Sequence, residues 1–204
     1  MSHAPARVVL VTGASRGLGA DIAGQLAGAD THVIVHYREK ARHANAIAAA
    51  IRAAGGHAST LAADFSDEAD TAAMVDAIAA RLGRLDTLIL NASVGRDAQR
   101  RLTELTMPLM PVGGRIVFVT NHQAHFFPDK AVPKGYARAA ATRRAAETAL
   151  YAMRFDFARA GIQFTVVSGS LADQKLAAAI VNTTDTPSPS GIVYVGGADY
   201  LMTA

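Results

Sequence analysis

The stretch "RVVLVTGASRGLGADIAGQLAG", residues 7 to 28, decides how the rest of the chain is read. It opens on an apolar run, Arg7 to Thr12, of the kind that suits a strand buried on both faces of a parallel sheet. Gly13, Gly17 and Gly19 follow at once, and the residues from Gly17 onward take a helical period. Glycines between a strand and a helix let the backbone turn tightly. They also bring its amides close to a pyrophosphate, whose charge the helix N-terminus favours.

Further apolar runs repeat this beginning: residues 31–37, 57–63, 86–90, 115–120, 162–167 and 191–196. Between them lie alanine-rich segments of helical period, at 17–28, 39–55, 66–83, 97–110 and 136–161, several of which end at a glycine. Ser66, followed by Asp67 and Glu68, has the chemistry of a helix start: a hydroxyl to cap free amides, then acids at the positive end of the dipole. The alternation predicts an α/β fold, a Rossmann-like doubly wound sheet of about seven mostly parallel strands with helices on both faces. Ligands are then expected at the carboxyl ends of the strands. There is no internal repeat. The loop "NTTDTPSPSG", 182–191, is the one segment of low-complexity character, so residues 1–204 are expected to form a single domain.

Composition narrows the function. Half of the 204 residues are hydrophobic, enough for a sizeable core. No apolar run approaches the roughly 20 residues that span a bilayer, and the first residues lack a charged and then apolar leader, which predicts a cytoplasmic protein with no membrane partner. The chain has no cysteine, so disulfides and thiolate chemistry are excluded. The net charge of +3 comes from scattered basic residues. Arg96, Arg100 and Arg101 read as the solvated face of a helix, and no nucleic-acid partner is expected.

The segment "TGASRGLG", 12–19, has three residues between its first two glycines and one between the next two, and in this it resembles the short-chain dehydrogenase/reductase family. "AADFSD" at 62–67 looks like that family's acidic element after the third strand, and "LNAS" at 90–93 like its Asn-Ala-Gly element, with Ser93 in place of the glycine. "GGRIVFVTNHQAHF" is similar to the fifth strand, which ends in the active site, and "GIVYVGGADYL" to the last strand and tail. The resemblance implies an NAD(P)-dependent oxidoreductase for a small carbonyl or alcohol substrate, assembled as a homodimer or homotetramer. It assigns cofactor contacts to Gly13, Ser15, Arg16, Gly17, Leu18, Gly19, Tyr37, Arg38, Asp64, Phe65, Asn91, Ala92 and Ser93, with Asp64 and Phe65 near the adenine. An acid at the end of the second strand would bind the adenosine ribose of NAD. Here the strand ends in His36, Tyr37 and Arg38, and Arg38 with Arg16 suits a 2′-phosphate, which favours NADP. Glu39, one residue on, keeps NAD as the alternative.

The catalytic end departs from the family. There, a tyrosine and a lysine one helical turn later form a proton relay with a serine after the fifth strand. In this chain Ala140 stands four residues after Tyr136, Ala139 stands four before Arg143, and Asn121 replaces the serine. A tyrosine needs a nearby cation to favour its phenolate. With 136–143 all helical, Tyr136 and Arg143 share a face about 10 Å apart along the axis. With Tyr136 before the helix, its hydroxyl reaches the cleft and Arg143 takes over the lysine's ribose contact. Thr120 is expected to face away from Asn121 by strand alternation. His122 and His125 are an alternative acid/base pair; with no third ligand nearby they predict no metal site. The segments after the fourth and sixth strands are shorter than the family's, and Ser168 stands where the family has a proline before Gly169. Two readings follow: an NADP(H)-dependent oxidoreductase with Asn121, Tyr136 and Arg143 as an altered catalytic group, or a nucleotide-binding sensor or partner subunit of weak catalysis.

Overall fold

Each apolar run becomes a strand: β1 (Arg7–Val11), β2 (Thr31–Tyr37), β3 (His57–Ala62), β4 (Thr87–Leu90), β5 (Arg115–Thr120), β6 (Gln163–Gly169) and β7 (Gly191–Val195). They form one sheet in the order β3-β2-β1-β4-β5-β6-β7, every pairing parallel. The structure is a computed structural model that describes residues 6–170, 173–186 and 191–196. The rest of the low-complexity loop and the tail that follows β7 lie outside the described residues.

Strand alternation builds the two faces. Val8, Leu10, Leu88, Ile116 and Phe118 point to one side, where they pack against helices α3 (Glu68–Leu82), α4 (Arg96–Thr106), α6 (Ala137–Ala152) and α7 (Arg154–Ala160). Val9, Val11, Val33, Ile89 and Val117 point to the other, against α1 (Gly17–Gln25), α2 (Ala41–Ala53) and α8 (Lys175–Asp185). Both faces are therefore covered, as an all-parallel sheet requires. Among the described residues, no helix is long and apolar enough to cross a membrane.

Three local expectations are corrected, and one helix is added. Ser66 does not cap α3, because its hydroxyl is spent on Asp64 Oδ1 at 2.6 Å; Asp67 is the cap, its carboxylate accepting from Asp70 N at 3.0 Å. The long segment 136–161 is two helices, parted at Met153, whose amide bonds back three residues to Leu150 at 3.0 Å and redirects the chain so that Phe157 enters the core. Arg101 leaves the solvated face of α4 and pairs with Glu68 of α3, whereas Arg100 stays exposed and pairs with Glu104 at 2.7 Å. The shortened segment after β6 contains a helix, α8, which packs against α1.

Candidate functional site

Strand order reverses between β1 and β4, so the carboxyl ends of these two strands part and leave a crevice. Thr12 secures its floor: its hydroxyl donates to Ile89 O at 3.1 Å and accepts from the amides of Asn91 (2.9 Å) and Ala92 (3.0 Å). The Asn91 side chain donates to Thr12 O at 3.0 Å, which ties the "LNAS" segment to the glycine turn. Two glycines are required there. Gly17 takes a φ of +54° and has no atom within 4 Å of where a Cβ would stand, and a Cβ on Gly19 would lie 2.5 Å from Gly13 O.

Above this floor is a cavity of about 400 Å³ lined by Gly13, Ser15, Arg16, Tyr37, Arg38, Asp64, Phe65, Asn91, Ala92 and Ser93. These ten assigned positions come together from four strand ends. Gly17, Leu18 and Gly19 are not among its lining residues: Leu18 packs toward the α1 and α2 core and Gly19 is buried beneath the turn. Arg38 and Glu39 stand at the rim as an exposed pair, 2.9 Å apart. The Asp64 carboxyl is held below its ordinary value, chiefly by the hydroxyl and then the amide of Ser66.

His36 also lines this cavity and was not assigned a role. Its Nδ1 accepts from Gly13 N at 3.0 Å, so Nε2 carries the proton and donates to Ala63 O at 3.0 Å. The ring stacks on Phe65 with centroids 4.2 Å apart. Burial is the main cause that pushes its pKa down to about 4, with the Ala63 bond and two nearby carboxylates opposing. A neutral histidine thus braces the glycine turn at the place where a ribose-binding acid had been sought.

At the other end, Tyr136 is the residue immediately before α6 and so stands at the helix start, as in the second of the two arrangements weighed above. The Asn121 carbonyl accepts from Ala124 N at 2.8 Å, capping the short helix α5 (His122–His125). That bond orients the amide, and Asn121 Nδ2 donates to the Tyr136 hydroxyl oxygen at 2.5 Å. Arg143 donates to Val119 O at 2.7 Å and to the Ser93 hydroxyl. Burial lowers the Arg143 pKa, and its attraction to Tyr136 opposes the shift. Tyr136 and Arg143 line a second cavity of about 550 Å³, which shares Ser93 and Val94 with the first.

The alternative pair is divided. His122 Nδ1 lies 2.9 Å from Ser168 Oγ, linking α5 to β6. His125 Nδ1 lies 2.7 Å from the fully buried carboxylate of Glu147, which also takes Arg144 at 2.8 Å, while His125 Nε2 reaches Tyr194 Oη at 3.1 Å. Neither histidine lines the two cavities described here. Thr120 is fully buried, and its hydroxyl makes no hydrogen bond among the described residues. The lining residues without a site role in the sequence reading include His36, Lys40, Ala63, Val94, Gly135, Arg138, Ala139 and Thr142. The last three had a signal: with Tyr136 and Arg143 they recur at three- and four-residue spacing on one side of α6.

Residues 7–107 match the family model for short chain dehydrogenase. An uncharacterized oxidoreductase of Methylorubrum extorquens is 42% identical over 94 residues, 46% of this chain and 38% of that protein, so the match spans well under half of the relative's own length. The 1-cyclohexenylcarbonyl-CoA reductase of Streptomyces collinus is 29% identical over 209 aligned positions, covering 92% of this chain and 72% of its own. Among solved structures, a short chain dehydrogenase from Burkholderia cenocepacia in complex with NADP superposes with a TM-score of 0.81 at 24% identity, over 95% of this chain and 98% of that one. This likeness establishes the same fold.

Proposed function

The chain belongs to the short-chain dehydrogenase/reductase family, and on that premise we propose that it is an NADP(H)-dependent oxidoreductase interconverting a small carbonyl compound and its alcohol. The residues present fit the dinucleotide. The glycine turn leaves open space beside Gly17 at a helix start, and Arg16 and Arg38 line the same cavity as cations for a 2′-phosphate. The NADP complex of the Burkholderia relative agrees with this choice. When bound, the reduced cofactor supplies a hydride to the carbonyl carbon.

The chain's own residues handle the proton. Because Asn121 donates to the Tyr136 oxygen, the Tyr136 O–H is free to point at the substrate oxygen and to protonate it as the carbonyl electron pair moves there. The same Asn121 N–H then stabilises the phenolate left behind. Arg143 is held by Val119 and Ser93 as a fixed positive charge; a guanidinium does not give up its proton, so it tunes the site and does not shuttle. The observation that carries the reading is the bond from buried Asn121 to Tyr136, which with Arg143 lines a cavity that adjoins the glycine-turn crevice.

The test is NADPH consumption with a panel of small ketones and aldehydes, for the natural chain and for Tyr136→Phe. Loss of the general acid should lower turnover about 10²- to 10⁴-fold while NADPH still binds. NADPH binding with no turnover of any carbonyl would return the chain to the nucleotide-binding reading.

A further inference from the structure

The second cavity carries a charge pattern that the reduction reading leaves unused. Two guanidinium groups line it, Arg138 and Arg143, and among the described residues no carboxylate does. They differ in how they are held. Arg143 is committed to Val119 and Ser93, whereas the Arg138 guanidinium makes no hydrogen bond or ion pair among the described residues. The nearest acid along α6, Glu147, is fully buried and already paired with Arg144 and His125, so it does not neutralise this wall. Ala139, four residues before Arg143, leaves room between Tyr136 and the two arginines where a larger side chain would stand.

From this arrangement we propose that the substrate is an oxo acid: its carbonyl oxygen meets the Tyr136 hydroxyl and its carboxylate meets the Arg138 guanidinium. The proposal rests on the reductase reading above and names the substrate class of the same site. Position and planarity favour it. Arg138 is two residues beyond Tyr136 on the first turn of α6, within reach of a small bifunctional molecule whose carbonyl lies at Tyr136. A guanidinium fork is matched to a carboxylate. A cavity lined by one sign of charge also raises the local concentration of the opposite sign.

The test uses the full chain with NADPH and pairs of substrates: 2-, 3- and 4-oxo acids, each beside its neutral methyl ester. The ratio of kcat/KM for acid over ester should exceed about tenfold for at least one pair, as a charged hydrogen bond supplies, and the difference should lie in KM. In Arg138→Gln the ratio should fall toward one, and Arg138→Lys should restore part of it. A ratio near one in the natural chain, or a ratio that survives Arg138→Gln, overturns the proposal. If esters react as well as acids, the oxo-acid inference fails and the reductase reading stands. If no compound reacts, the reductase reading fails, and quenching of bound NADPH fluorescence by acid against ester still decides whether the cavity selects an anion: equal affinities reject it.

Discussion

His36 illustrates how one side chain can carry structure where function was sought. Its imidazole receives Gly13 N and donates to Ala63 O, so it must stay neutral for both bonds to persist. The unfolded chain takes up a proton near pH 6.5 and the folded chain near pH 4, so the unfolded state binds more protons between these values. His36 therefore stabilises the fold fully above about pH 6.5, and that contribution is lost as pH falls toward 4, amounting to about 3 kcal/mol at pH 4. Urea unfolding at pH 7 and pH 4 should show a smaller acid loss in His36→Asn than in the natural chain; an equal loss would deny His36 this role. Arg38, two residues on, makes the opposite kind of contribution. Its exposed pairing with Glu39 adds little to stability, and its proposed work is on the cofactor phosphate. Arg38→Ala should weaken NADPH binding at least about tenfold more than NADH binding, consistent with a lost charge-assisted contact to phosphate. Parallel losses for both nucleotides, read by nicotinamide fluorescence, would remove the 2′-phosphate assignment.

Elements were legible to the degree that their signals are local. Strands β2 and β5 match their apolar runs end to end, because burial on both faces demands an unbroken run. The start of α6 is open to two arrangements in the sequence, since Gly135 and Tyr136 permit either; the contact that the Tyr136 hydroxyl makes comes from Asn121, 15 residues away, and is not legible there. Ser66 and Asp67 are both good caps, and only the competing bond to Asp64 decides between them. The Glu68 partner of Arg101 and the His125 beside Glu147 lie on other elements, where no periodicity within a helix points to them, whereas Arg144 stands three residues before Glu147 on α6. Glu147 is the more consequential. Its carboxylate faces His125 of α5 at 2.7 Å, and its other oxygen is buried with no hydrogen-bond partner among the described residues. Removing the carboxylate should cost about 1–3 kcal/mol, less than for a fully buried pair because the Arg144 left behind is partly exposed, so Glu147→Ala should lower the denaturant midpoint. A midpoint unchanged within error would mean that this buried group adds nothing net to the docking of the two helices.

At the scale of the whole molecule, the sheet topology explains why residues so far apart in sequence meet. Reversal of strand order at β1 and β4 opens the crevice, the ends of β2 and β3 bring His36 and Asp64 to it, and the end of β5 supplies Asn121, which bonds Tyr136 of the second cavity. Ser93 and Val94, just after β4, belong to both cavities and join the expected nucleotide end to the Tyr136 end. Ser93, which stands where the family has a glycine, and Arg143 belong together, since the serine hydroxyl is one of the two groups that hold the guanidinium. On the proposed function, this altered group still supports hydrogen transfer. Its most direct test is to supply NADPH deuterated at nicotinamide C4, together with the paired oxo acids and esters, and to measure deuterium at the alcohol carbon of the product. The account predicts label at that carbon with the natural chain and about 100-fold less with Tyr136→Phe, at equal NADPH occupancy. Label transfer that is unaffected by Tyr136→Phe, or none from the natural chain with NADPH bound, would contradict it.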